Sequence, residues 1–158
     1  MILSMIAGMS ENRVIWKDNA LPRYYPEDLK KFRAITYWNC VIMWRNTYES
    51  IWKPLPWRRN IVISKSTEFS EIECYESPDE AIERLEFELW DEDQVFIIWW
   101  ATLYSYFLPQ AEYIYLTKIH KVIEGDTYFP PFEEHFELIE SNTEKDLTFM
   151  VYRKKRAE

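Results

Sequence analysis

Apolar residues in this chain gather into short unbroken runs, and the polar stretches between them carry either helical spacing or turn residues. Residues 1–9 (MILSMIAGM) form an apolar run without a 3.6-residue period, which predicts a buried strand. Residues 39–43 (NCVIM), 60–64 (NIVIS) and 95–98 (VFII) predict three more. The alternation across 113–119 (YIYLTKI) predicts another, and 136–141 with 147–153 a closing antiparallel pair, its turn at 142–146. Residues 19–26 hold two prolines among polar residues and predict a loop. Pro26-Glu27-Asp28 then opens a helix, because proline suits a first turn and acidic side chains suit its dipole. Leu29, Phe32 and Ile35 give that helix an apolar stripe. Ser77-Pro78-Asp79-Glu80 starts another helix, followed by the apolar Ala81, Ile82 and Leu85, and residues 46–51 and 101–107 predict two short ones. Continuous apolar strands alternating with helices imply one α/β domain over residues 1–158 with a mostly parallel sheet. Such sheets bind ligands at the carboxyl ends of their strands, so the loops after strands one, two, three and five are the places to look.

Charge narrows the function classes. The formal net charge of -8 argues against binding nucleic acid through its phosphates, which needs clustered Lys and Arg. The one basic cluster, residues 153–156, reads as a solvated chain end. No run approaches the roughly 20 apolar residues of a membrane span, and the apolar start lacks a basic flank, so a signal peptide is not expected. These features predict a cytoplasmic protein with no membrane partner. Cys40 and Cys74 have no CxxC spacing and read as free thiols in a reducing compartment. His120 and His135 have no neighbours at metal-ligand spacing, and no metal site is expected.

Three groups of residues carry candidate chemistry. Asp28 lies in a first helical turn beside Leu29 and one turn from Phe32. It either charges the helix start or, flanked by apolar side chains, holds a flat heteroaromatic ring through paired hydrogen bonds with a raised pKa. Arg45, Asn46 and Thr47 follow the second strand, and Ser64 and Lys65 end the third. Both sets are either ordinary caps and solvated charge or phosphate ligands. Arg58, in PLPWRRN, is either surface charge or a bidentate partner for a ligand carboxylate.

Taken together, VIWKDNALP, YPEDLKKF, VIMWRNTYESIWKPLPWRRNIVIS, VFIIWWATLYSYFLP, IYLTKI and EGDTYFP resemble the bacterial dihydrofolate reductases in order and separation along nearly the whole chain. The resemblance implies a monomer with a mostly parallel eight-stranded sheet, a C-terminal antiparallel hairpin and four helices. It implies NADPH as cofactor, dihydrofolate as substrate, hydride transfer to C6 with protonation of N5, and binding of antifolate inhibitors. By position, Asp28 matches the pterin-site carboxylate, and Ile6, Ala7, Leu29, Phe32, Ile51 and Ile98 match the pocket walls. Arg58 matches the group that binds the folate α-carboxylate, and Thr117 the hydrogen-bond partner of Asp28. Arg45, Asn46, Thr47, Ser64 and Lys65 match the cofactor phosphate positions. Ala7, Ile15, Ile98, Trp99, Trp100, Thr102, Leu103 and Tyr104 match its pyrophosphate and nicotinamide surroundings. Asn19, Ala20 and Leu21 match the loop that closes over nicotinamide, with Leu21 and Tyr104 beside the reacting atoms. Gly125, Asp126 and Thr127 match the loop that supports the closed form.

Two departures accompany the resemblance. Trp16, Trp44, Trp52, Trp57, Trp99 and Trp100 stand where the family has glycine, and Trp38 and Trp90 fall in turns where relatives often have it. Gly 2 and Trp 8 together approach the roughly 11 glycines expected at the usual ~7%. Two accounts follow. Either the tryptophans are real, leaving a pterin-binding relative deficient in cofactor binding, or UGA codons read as glycine in the source organism are written as Trp. Arg23 stands where the family usually has Trp. A cation there would lower the pKa of Asp28 and shift the activity optimum to lower pH. Another enzyme of the same fold, the reductase of riboflavin synthesis, is the alternative activity. The YPEDLKKF aspartate and the PLPWRRN arginine favour folate.

Overall fold

The computed structural model of the chain turns the unbroken apolar runs into the parallel strands they predict. The structure describes residues 1–16, 25–51, 53–65, 71–98 and 101–156, with backbone alone for Trp16, Ile51, Ala101, Thr102 and Leu103. In chain order the strands are β1 (Ile2–Ser10), β2 (Val14–Trp16), β3 (Cys40–Trp44), β4 (Arg59–Ile63), β5 (Glu73–Tyr75), β6 (Gln94–Ile98), β7 (Tyr113–Ile119), β8 (Thr127–Tyr128), β9 (Phe136–Glu144) and β10 (Leu147–Lys154). The helices are α1 (Pro26–Thr36), α2 (Arg45–Ile51), α3 (Pro78–Glu88) and α4 (Ala101–Phe107).

Eight strands form one sheet in the order β5-β4-β3-β6-β1-β7-β10-β9. The run from β5 to β7 is parallel throughout. β10 then pairs antiparallel with β7 and β9. Val41, Ile42 and Met43 of β3 and Val95, Phe96, Ile97 and Ile98 of β6 have no exposed surface. Strands covered on both faces cannot alternate apolar with polar, which is why they read as continuous runs.

Alternate residues of each strand feed two cores. Leu3, Met5, Ala7 and Met9 of β1 pack with Ala81, Ile82 and Leu85 of α3 and Tyr104 and Phe107 of α4. Ile6 joins Val41, Met43, Val62, Phe96 and Ile98 under Phe32 of α1. α3 starts as expected: Ser77 accepts a hydrogen bond from the Glu80 backbone N–H at 3.2 Å. α1 starts without a side-chain cap, with Pro26, Glu27 and Asp28 in its first turn.

The closing hairpin is tighter than expected. The polar residues 142–144 continue β9, and the turn shrinks to Lys145 and Asp146, with Lys145 at φ 56. β9 is an edge strand exposed beyond Phe136, so no apolar pattern was needed to mark it. Thr143 and Thr148 hydroxyls meet across the ladder at 3.0 Å. The strands β2, β5 and β8 were not anticipated, because segments of two or three residues carry no periodicity.

Trp38 and Trp57 adopt φ of 65 and 62, the left-handed region that favours glycine. Neither is buried: they are 71% and 60% exposed. Their rings lie 5.3 Å apart, and the Trp38 N–H donates to the Trp57 carbonyl at 2.9 Å. A side chain in this conformation costs about 1–2 kcal/mol per residue, against about 0.5–1.5 kcal/mol for an aromatic pair. Replacing both by glycine should therefore stabilise the fold by on the order of 1 kcal/mol, read as a rise in the urea midpoint at unchanged slope.

Candidate active site

Because β3, β4, β6 and β1 run parallel, their carboxyl ends meet on one edge of the sheet. α2 follows β3 there, Ser64 and Lys65 follow β4, and α4 follows β6. Beside that edge, between α1 and the strands β1, β7, β9 and β10, lies a cavity of about 310 Å³. Ile6, Ala7 and Gly8 of β1, Asp28, Phe32 and Ile35 of α1 and Thr117 of β7 line it. Lys31, Glu140 and Asn142, all exposed, also contribute to its lining.

Asp28 is the chemical centre of this cavity. The apolar stripe of α1 turns Asp28 and Phe32 toward the sheet together, since residues four apart share a helix face. Burial raises the carboxyl pKa above its usual 3.8, and a hydrogen bond from the Thr117 side chain partly offsets that rise. Thr117 is buried opposite Gly8 in the β1–β7 ladder. A Cβ built on Gly8 would lie only 3.4 Å from Asp28 Oδ2, so the backbone of β1 runs directly beside the carboxylate.

Arg58 closes the far end of α1. Its Nε donates to Thr36 Oγ1 at 2.9 Å, and its guanidinium lies 5.8 Å from the ring centres of Phe32 and Tyr37. Burial, then the neighbouring Arg33, lowers its pKa, as expected of two cations gathered where an anion would relieve them.

The other expected residues are distributed around this centre. Ile98 is fully buried and pairs in register with Ile6, which places it beneath the cavity wall. Leu29 is half-buried on α1 and does not line the cavity. Tyr104 is buried, and its hydroxyl donates to the Ile6 carbonyl at 2.8 Å. Ile15 packs in the core beside β1. Thr47 and Ser64 are buried at their strand ends, whereas Asn46 and Lys65 are exposed. Arg45 Nε donates to Glu49 Oε1 at 2.7 Å. Asp126 is exposed and accepts from Thr127 Oγ1 at 3.2 Å, next to the β2–β8 ladder. Leu21, Asn19, Ala20, Arg23, Trp99 and Trp100 lie outside the described residues, and Ile51, Thr102 and Leu103 are described by backbone alone.

Sequence reading missed Gly8, Lys31, Ile35, Tyr115, Glu140, Asn142 and Phe149 as cavity residues. Period-two alternation from Ile6 points to Gly8, and helical spacing from Asp28 points to Lys31 and Ile35. Nothing local marks the residues of β9 and β10, which arrive from the end of the chain. Among the described residues no group of three His, Cys, Asp or Glu side chains could hold a metal ion, and no helix is long and apolar enough to cross a membrane.

The dihydrofolate reductase family model matches residues 2–154. The chain belongs to the dihydrofolate reductase family. It is 37% identical to the dihydrofolate reductase of Bacillus subtilis (strain 168), over 99% of this chain and 96% of that protein. It is 40% identical to the type 3 dihydrofolate reductase of Salmonella typhimurium, over 84% of this chain and 80% of that one. Its fold matches the solved dihydrofolate reductase from Enterococcus faecalis complexed with NADP(H) and RAB-propyl at a TM-score of 0.84 and 24% identity, covering 98% and 97% of the two chains.

A carboxyl with a raised folded-state pKa opposes folding once it ionises. The unfolded chain ionises near 3.8, so the cost is absent below that pH, grows above it, and is complete once pH exceeds the folded pKa. Asp28→Asn should therefore raise the melting temperature at pH 7–8 and lose that advantage as pH falls toward 3.8, a trend that calorimetry across the range would test.

Proposed function

We propose that the chain reduces 7,8-dihydrofolate to 5,6,7,8-tetrahydrofolate with NADPH, adding hydride at C6 and a proton at N5. The observation that carries this reading is Asp28: a half-buried carboxyl with a raised pKa, hydrogen-bonded to Thr117, on the wall of a cavity whose apolar lining includes Ile6, Ala7 and Phe32. A carboxylate accepts two parallel hydrogen bonds from a ring that presents neighbouring N–H donors, as the pterin edge does. Its raised pKa keeps a proton available nearer neutrality, which favours protonation of N5 through solvent. Phe32 and Ile6 exclude water from the ring faces. Tyr104 fixes the Ile6 carbonyl through its hydroxyl and so shapes the wall where the ring and the cofactor meet. Arg58, beside Phe32 and Arg33, suits the α-carboxylate of the substrate's glutamate.

The donor set around the strand ends fits the cofactor. Arg45 and Lys65 supply cations, and Thr47 and Ser64 supply hydroxyls, on the segments that follow neighbouring parallel strands. NADPH, when bound, supplies the hydride. Asn46, Asp126, Ile15, Ala7, Ile98, Thr102, Leu103 and the positions of Asn19, Ala20, Leu21, Trp99 and Trp100 complete its surroundings on this reading. The protein works as a cytoplasmic monomer with small-molecule partners, antifolates among them.

The eight tryptophan positions are glycine positions on this reading. The left-handed backbone at Trp38 and Trp57 supports it. Dihydrofolate-dependent NADPH oxidation should be measured on the chain as written and on a chain with glycine at all eight positions. Turnover confined to, or much faster in, the glycine chain is the expected result; equal turnover in both would overturn the glycine reading, and none in either would overturn the activity. In the active chain, Asp28→Asn should lower kcat/KM at pH 7 by about 10²- to 10⁴-fold. Arg58→Ala should raise the KM for dihydrofolate by roughly 10- to 100-fold with little change in kcat.

A further inference from the structure

The cavity beside Asp28 extends well past the part that a ring on Ile6, Ala7 and Phe32 would use. It continues between α1 and the β7–β10–β9 side of the sheet, past Tyr115 and Val151, to Lys31, Glu140 and Asn142. At about 310 Å³ the cavity is far larger than the roughly 10–15 Å³ of such space that one water needs. Its lining supplies two carboxyls, a threonine hydroxyl, an ammonium and an amide, which makes it polar enough to hold water. Ile6 and Gly8 lie on the same face of β1, two residues apart, so one fills its place with a side chain and the other leaves it open. A Cβ at Gly8 would sit 3.4 Å from Asp28 Oδ2 and 3.8 Å from the Thr117 carbonyl oxygen. Those are ordinary contact distances, so glycine is not there to relieve a backbone clash.

We propose that Gly8 is a positioning residue for Asp28: by omitting a side chain it joins Oδ2 to this cavity and keeps the carboxyl in contact with solvent from the α1–β10 side. The inference rests on the proposed reductase activity, in which each turnover takes one proton to N5 and Asp28 must regain access to solvent protons. The charged groups lining the path are Lys31 on α1 and Glu140 on β9, with Tyr115 on β7 as the further titratable group. The lining residues of β1 and β10 contribute none. Arg58 stands 5.8 Å from the centre of the Phe32 ring, and Lys145 pairs with Glu27 at the start of α1. Among the described residues burial is the largest influence on the carboxyl, opposed by the Thr117 hydrogen bond, so the space beside Oδ2 sets its contact with solvent.

The test is the titration of Asp28, followed by ¹³C NMR on the full chain carrying carboxyl-labelled aspartate, with Asp28→Asn identifying its signal. Gly8→Val fills the space at Oδ2, and Val151→Phe narrows the cavity away from the carboxylate. Withdrawing water disfavours the charged form, so Gly8→Val should move the Asp28 midpoint upward by on the order of one pH unit, with Gly8→Ala and Val151→Phe moving it less in the same direction. The high-pH limb of dihydrofolate reduction should move with it. Unchanged midpoints in folded Gly8→Ala and Val151→Phe would overturn the proposal, even if Gly8→Val failed to fold. Shifted midpoints in a chain that does not reduce dihydrofolate would sink the activity while leaving the role of Gly8 in hydrating Asp28 intact.

Discussion

Parallel pairing is the constraint from which the rest of this molecule follows. A parallel strand cannot be reached by a tight turn, so each neighbour in the run from β5 to β7 requires a crossover. α1, α2, α3 and α4 fall in those crossovers and cover both faces of the sheet. The same geometry gathers the carboxyl ends of β1, β3, β4 and β6 along one edge. Arg45 and Thr47 of α2 and Ser64 and Lys65 after β4 come from separate segments, and the parallel β3–β4 pairing sets these segments side by side. The antiparallel β9–β10 pair ends the pattern and supplies the outer wall of the cavity under α1.

Within that frame Asp28 sets function against stability. A carboxyl in the first turn of a solvent-facing helix would cost nothing and would help the helix dipole. Here the apolar stripe of α1 carries it into the cavity, where burial disfavours its charge and, among the described residues, a hydrogen bond from Thr117 compensates in part. Proteins rarely keep such a group without a chemical use. The arrangement also explains the company it keeps. Phe32 and Ile6 set apolar side chains on the cavity wall, while Gly8, beside Asp28 Oδ2, adds none.

The tryptophans are the points where local and global demands disagree. Trp38 and Trp57 hold a backbone conformation suited to glycine while exposing most of an indole, so neither backbone nor burial explains the residue type. Trp90 is likewise exposed, between α3 and β6. Arg13 and Lys145 share the left-handed conformation, but Arg13 uses it: its side chain donates to the Phe129 and Pro130 carbonyls and pairs with Glu133. That contrast separates a residue held in strain by its hydrogen bonds and ion pair from two whose indoles pack against each other and, for Trp38, against Tyr37.

The sequence by itself determined the element types and most of their positions. Runs such as NCVIM and VFII can be stable only with both faces covered, and the Ser77-Pro78-Asp79-Glu80 start can be little else than a helix entrance. It offered Asp28 and Arg58 as candidates, a carboxylate beside an apolar stripe and a guanidinium following PLPW, and the resemblance to the dihydrofolate reductases implied their roles. The polar end of β9 stayed hidden, since an edge strand needs no apolar face, and β2, β5 and β8 are too short to carry a period. Only the tertiary structure decided which chemistry Asp28 has. Its pKa depends on burial in the cavity and on Thr117, which the ladder sets opposite Gly8, and that cavity is walled by β9 and β10 at the far end of the chain. Pairing register and burial are properties of contacts between distant segments, and no local pattern encodes them.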